Sequence, residues 1–173
     1  GFTEALAFVF QKRDLMLMGY DQAVDDNTTL DIFWGLYEIM GVSLVDMRMW
    51  QWLYAHPDAT AQQLREATLA IAKEVWNTYY YPVLGEQDSP ILACYSHMVN
   101  APMYLPNYPF GHIVEFQLEE HLAQFPTKQA FADEIMRIYK LGKLTPNQWM
   151  QQAVGAKVST TPILNAVEAI LKK

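Results

Sequence analysis

The chain is poor in cysteine, in positive charge and in long apolar runs, and each shortage closes off a class of function. Its one cysteine, Cys94, stands among 173 residues. No disulfide can form within the chain, and a reducing compartment, the cytoplasm, is expected. Lys and Arg number 12 against 19 Asp and Glu, for a net charge of −7. Nucleic-acid binding, which needs a basic face toward phosphate, is not expected. No unbroken apolar stretch reaches the ~20 residues that span a bilayer; the runs at 5–10 and 32–37 are soon interrupted, so no membrane partner is expected. The first residues carry no initiating Met and no basic stretch leading into an apolar run. They read as the start of a helix, not as a signal peptide, and the chain is expected to be part of something longer. A glycine-rich phosphate loop, a Gly-x-Ser-x-Gly elbow, His-Glu-x-x-His, Glu-x-x-His and Cys-x-x-Cys are all missing. A complete zinc or di-iron site is therefore not expected from this chain alone.

What is present is apolar substance, 51% against 18% charged, enough for a sizeable core. The pattern predicts an all-α fold, a bundle of about six to eight helices forming a single helical domain over 1–173. A first helix covers 2–18 and ends at Gly19, followed by an acidic turn at Asp25-Asp26-Asn27. A long second helix covers about 30–55, with Ile32, Leu36, Ile39, Ser43, Met47, Trp50 and Tyr54 as its buried stripe. His56-Pro57 ends it, and His56 stands at a helix end where a cation suits the dipole. Thr60 and Gln63 form a capping box opening a third helix, with Leu64, Ala67, Ile71 and Val75 inward, which stops at Tyr81-Pro82. A loop at 85–88 precedes Ser89-Pro90, a cap followed by proline that predicts a fourth helix. Pro102, Pro106 and Pro109 break the chain, and helix resumes over 111–125. Thr127 caps the next helix, with Phe131, Ile135 and Ile138 inward and Gly142 at its end. Thr145-Pro146 and Thr161-Pro162 open two short terminal helices.

Three groupings of titratable residues invite a chemical reading. His112, Glu115 and Glu119 fall on one helix face and could hold a metal, or could be a solvated polar face opposite Val114, Leu118, Leu122 and Phe125. Cys94 and His97, three apart on the fourth helix, offer two ligands, short of a site. Residues 95–112 combine His97 with Tyr104 and Tyr108 in a segment broken by proline and glycine. Imidazole and phenol are good donors toward a developing oxyanion, and irregular backbone can aim them. The same tyrosines also suit packing beneath a loop.

The run Pro102-Met-Tyr104-Leu-Pro-Asn-Tyr108-Pro-Phe-Gly111, preceded by His97, resembles the His…Pro-Phe-Tyr-x-Tyr-x-Tyr-x-x-Gly segment of oligoendopeptidase F-like zinc metallopeptidases, relatives of thimet oligopeptidase. The tail Leu141-Gly-Lys-Leu-Thr-Pro-Asn-Gln-Trp149, with Gly155 and Ser159-Thr-Thr-Pro162-Ile-Leu, is similar to that family's C-terminal end. The opening Phe2-Thr-Glu4-Ala-Leu-Ala-Phe8 resembles the helix that supplies the family's third zinc ligand. Residues 92–165 carry most of the likeness, residues 1–15 a less specific piece, and 20–90 match only as long helices. The resemblance implies the C-terminal helical portion of the catalytic domain of a zincin-like peptidase. It implies Glu4 as a zinc ligand, and His97 and Tyr108 as hydrogen-bond donors to the tetrahedral oxyanion. Tyr104 would line the same wall. The His-Glu-x-x-His helix is missing, so the chain alone is expected to hold zinc weakly and to be inactive. Its expected partners are an oligopeptide substrate and an upstream segment or separate chain carrying that helix. Asn100-Ala101-Pro102 replaces a glycine-rich stretch of the thimet branch. The alternative is a noncatalytic helical module that grips peptides or a partner helix, supported by 9 Met and 13% aromatic residues.

Overall fold

The structure, a computed structural model, describes residues 2–18 and 26–173; for residues 14–17 it describes the backbone alone. Among these the fold is all-helical, without strands. The helices are α1 (Phe2–Leu17), α2 (Asp26–Ala55), α3 (Ala61–Tyr79), α4 (Tyr81–Leu84), α5 (His97–Asn100), α6 (Asn107–Leu122), α7 (Lys128–Tyr139), α8 (Pro146–Val154) and α9 (Thr161–Leu171), with a 3₁₀ turn at Ile91–Ala93. None is long and apolar enough to cross a membrane among the described residues. The chain divides into two compact units, one of residues 1–33 and 110–173 and the other of residues 34–109.

Capping chemistry places several boundaries where the sequence predicts them. The Thr60 hydroxyl accepts the Gln63 N–H and the Gln63 side chain takes the Thr60 N–H, fixing the start of α3. Thr145 and Gln148 repeat the arrangement at α8, and Gly155 ends it with φ 75°. Thr127 caps α7 through the Ala130 N–H. At α9 the Ser159 hydroxyl, instead of Thr161, takes the exposed N–H, and Thr161 becomes the first helical residue.

Other boundaries differ. Asp26 and Asn27 are not a turn; they open α2, where the carboxylate suits the positive end of the helix dipole. Gly19 and Asp25 lie outside the described residues. The third helix ends at Tyr79, within two residues of the predicted stop, but Pro82 does not end helix there: it sits at the start of α4, where its missing N–H has no helical partner to lose. Ser89-Pro90 opens only the 3₁₀ turn, so Cys94 caps that turn while His97 begins α5, and the two do not share a helix. Pro109 falls in the first turn of α6 for the same reason as Pro82, so α6 begins four residues earlier than predicted and contains Tyr108.

The 1–33 and 110–173 unit is built on α1 and α6, which run side by side in the same direction: Phe2 meets Phe110, Phe8 stacks on His112, and Arg13 pairs with Glu119. They approach so closely at Gly111 that a Cβ there would stand 2.9 Å from Phe8 and 3.0 Å from Glu4. Ala5, Val9, Val114, Leu118 and Leu122 fill the seam, and Ile138 of α7 and Met150 of α8 complete the core. Each Val, Leu, Ile or Met among these contributes ~1.5–3 kcal/mol by leaving water.

In the 34–109 unit α2 and α3 lie antiparallel, with Arg48 paired to Glu74 at one end and Tyr37 bonded to the Tyr79 carbonyl at the other. Tyr80 docks against Gly41, whose N–H donates to the Tyr80 hydroxyl at 2.8 Å. Burial pushes that phenol up to about 12; the Gly41 N–H opposes the shift. The buried stripe of α2 departs from the prediction. Leu36 and Ser43 are inward as expected, but Met47 and Tyr54 are exposed, and Val42, Val45 and Asp46 take the core positions. The reason is the strap at 101–106, which docks on that flank and brings Asp46 inside.

Candidate functional site

The proline-broken segment of the 34–109 unit is shaped by a ladder of short turns. The Ala101 N–H bonds the His97 carbonyl, Tyr104 N–H bonds Ala101, Asn107 N–H bonds Tyr104, and Tyr108 N–H bonds Leu105. Leu105 is fully buried and anchors the strap from beneath. Met103 takes φ 60°, rare for a residue with a side chain, and its N–H donates to the Asp46 carboxylate at 2.9 Å.

This backbone brings three of the four predicted residues together. The His97 and Tyr108 rings meet edge to face at 6.3 Å between centroids, and Tyr104 meets Tyr108 edge to face at 5.5 Å. Tyr95 adds a tilted contact to His97. Tyr104 is 41% exposed, while His97 and Tyr108 are half-buried. The Nδ1 of His97 is buried and makes no hydrogen bond. A neutral imidazole carries one proton, and an unpartnered buried donor is rarer than an unpartnered acceptor. On that ground the tautomer is assigned with its proton on Nε2, as the donor.

The fourth predicted residue, Glu4, belongs to the other unit. It lies on α1, half-buried, with its Cβ toward Gly111 of α6. Among the described residues no group of three His, Cys, Asp or Glu stands close enough to hold a metal ion.

His112, Glu115 and Glu119 do line one face of α6, but that face is not solvated. Glu115 is fully buried. Lys12 of α1 stands 3.4 Å from one of its oxygens and over the Phe116 ring, and His112 Nδ1 is 2.8 Å from the other. Arg13 takes Glu119 through both Nε and Nη2. Two consecutive cations of α1 thus neutralise two carboxylates one turn apart on α6, in the place a metal would have taken. Glu134 of α7 is likewise engaged: Arg137 hydrogen-bonds it, His121 Nε2 stands 2.6 Å away, and the carboxyl falls from its ordinary 4.5 to about 2, chiefly through Arg137. His56 bonds the Trp52 carbonyl and stacks on its ring at the end of α2.

Asp46 is the residue the sequence reading passed over. It is fully buried; one carboxylate oxygen holds Met103 and the other makes no full hydrogen bond. Burial pushes its carboxyl up, opposed by the Met103 N–H and by the nearby Trp50 indole one turn on. An aspartate in mid-helix, a poor helix former there, was the signal available.

No family model matches the chain, and no curated protein or solved structure matches it.

Proposed function

We propose that the chain is the C-terminal helical portion of a cytoplasmic zinc metallopeptidase that hydrolyses oligopeptides. The observation that carries the reading is the clustering of His97, Tyr104 and Tyr108 as edge-to-face rings on one irregular segment, in the order in which the resembling family carries its histidine and tyrosines. The residues present fit one zinc ligand, Glu4, of the three a catalytic site needs. Two histidines and a general base come from a His-Glu-x-x-His segment outside these 173 residues. When bound, zinc supplies an activated water and polarises the scissile carbonyl. The chain's own side chains then stabilise charge: the Tyr108 phenol and His97 Nε2 donate to the carbonyl oxygen as it becomes negative. Tyr104, more exposed, serves as second donor or substrate contact.

The second reading is a noncatalytic module that grips peptides or a partner helix. It rests on exposed apolar side chains such as Tyr79, Tyr81, Val83 and Leu84 in the 34–109 unit.

The deciding experiment uses the longer protein. Tyr108→Phe lowers kcat by ~10²–10³ with zinc still bound, as the loss of one oxyanion donor does, and Glu4→Ala weakens or strips zinc. Unchanged turnover in the first variant, or full zinc occupancy in the second, refutes the assigned role. A longer protein without His-Glu-x-x-His and without peptide hydrolysis turns the assignment to the binding module.

A further inference from the structure

The aromatic wall needs something to aim it, because Pro102 and Pro106 remove backbone donors on both sides of the strap and only Leu105 is anchored in the core. Asp46 supplies the other anchor. It stands in the interior of the 30-residue α2 and is fully buried, so its position is fixed by the most regular element of the unit. Its carboxylate accepts the N–H of Met103, the residue held at φ 60°, and Tyr104 follows immediately in the chain. A non-glycine residue in the left-handed region is strained and persists only where its surroundings enforce it. A buried carboxylate is also costly. Two unfavourable features joined by one hydrogen bond, next to the candidate donors, point to a shared purpose.

We propose that Asp46 is a positioning residue for the Tyr104–Tyr108 wall: by taking the Met103 N–H it holds residue 103 left-handed and so sets the direction in which the chain enters α6 with its two phenols. The meaning of this for catalysis rests on the peptidase reading; the geometry does not, and the test reads the geometry in the 173-residue chain.

The ring signals of Tyr104 and Tyr108 are followed by NMR in ¹³C-tyrosine-labelled protein and assigned by their loss in Tyr104→Phe and Tyr108→Phe. Asp46→Ala removes the acceptor, and both signals move while those of the other tyrosines stay. Asp46→Asn retains an oxygen that accepts the same N–H and keeps both signals at their wild-type positions. Adding Met103→Gly to Asp46→Ala brings both signals back, because glycine adopts φ 60° without a Cβ penalty. An Asp46 that merely packs the core would not respond to a change at residue 103. Met103→Pro deletes the N–H and fixes φ near −65°; it moves the same two signals without altering α2, and so reads the same bond if Asp46→Ala does not fold. Signals unmoved in Met103→Pro, or displaced in Asp46→Ala and not restored by Met103→Gly, overturn the proposal. The peptidase reading falls separately, on zinc-dependent cleavage by the longer protein.

Discussion

The two units treat buried charge in opposite ways. Among the described residues of the 1–33 and 110–173 unit each buried carboxylate has a cation against it: Glu115 has Lys12 and Glu134 has Arg137, while the half-buried Glu119 has Arg13. In the 34–109 unit Asp46 Oδ1, Trp50 Nε1 and His97 Nδ1 are buried without a full hydrogen bond, whereas the one such atom among the described residues of the other unit, Glu115 Oε1, has Lys12 at 3.4 Å. That unit is the shorter, yet among the described residues twelve exposed large apolar side chains lie in it against six in the other. Charges that cancel in place make a scaffold. Polar groups left unsatisfied beside an irregular, aromatic-rich segment are a cost to folding that function accounts for more readily than stability does.

The contrast breaks most visibly at Lys12. Its side chain is 9% exposed and that of Glu115 is 1% exposed, so Lys12→Ala leaves a buried carboxylate with only His112 beside it. The expected loss is about 3–5 kcal/mol in chemical denaturation. Lys12→Met combined with Glu115→Gln should recover most of it, because removing both charges removes the imbalance. A single-variant loss below about 1 kcal/mol would mean the unit does not depend on cancellation.

Gly111→Ala tests the same seam by size instead of charge. The added methyl would meet Phe8 and Glu4 at 2.9–3.0 Å, so α1 and α6 must part. The expected cost is about 1–3 kcal/mol in chemical denaturation; a cost below about 0.5 kcal/mol would mean that the seam has room for the methyl.

Acid titration probes Glu134. Its folded value, about 2, lies below its ordinary 4.5. The stability it contributes is therefore fully present above pH 4.5 and is lost as pH falls toward 2. Arg137 is 43% exposed, and solvent screening reduces the effect to on the order of 1–2 kcal/mol. Glu134→Gln should flatten that part of the stability–pH curve; an unchanged slope would place the acid sensitivity elsewhere.

How much of this was readable beforehand follows from which forces are local. Caps at Thr60, Thr127 and Thr145 bond groups three residues away, so the sequence shows them directly. The prolines at 82 and 109 read as breaks because proline in mid-helix is one; their tolerance in a first turn depends on where the helix begins, which is set by packing. The clustering of His97, Tyr104 and Tyr108 was legible as a motif. The partners of Glu115 and Glu119 were not, because Lys12 and Arg13 are about a hundred residues distant, although two adjacent cations facing two carboxylates at i and i+4 hinted at it. Asp46 was missed for a different reason. Ideal helical stepping along α2 selects Met47, and only the strap docking from 57 residues away turns the buried face toward its neighbour.

Asp46→Asn carries the smallest expected effect and the sharpest sign. Burial raises the Asp46 carboxyl above its ordinary 3.8, so the folded chain holds that proton more tightly than the unfolded chain does. Ionisation then works against folding: stability falls as pH rises from 3.8 through the folded value and stays lower beyond it. Asparagine has no charge to bury and still offers an oxygen to Met103. The variant should therefore be at least as stable as wild type at neutral pH and should lack that pH-dependent loss, as read by denaturant titrations across the range. A scaffold carboxylate such as Glu134 predicts the reverse sign, with loss on neutralisation. If Asp46→Asn were destabilised at neutral pH and restored by no pH change, Asp46 would belong with the cancelled charges of the other unit, and the distinction between the two units would fail at a fully buried carboxylate.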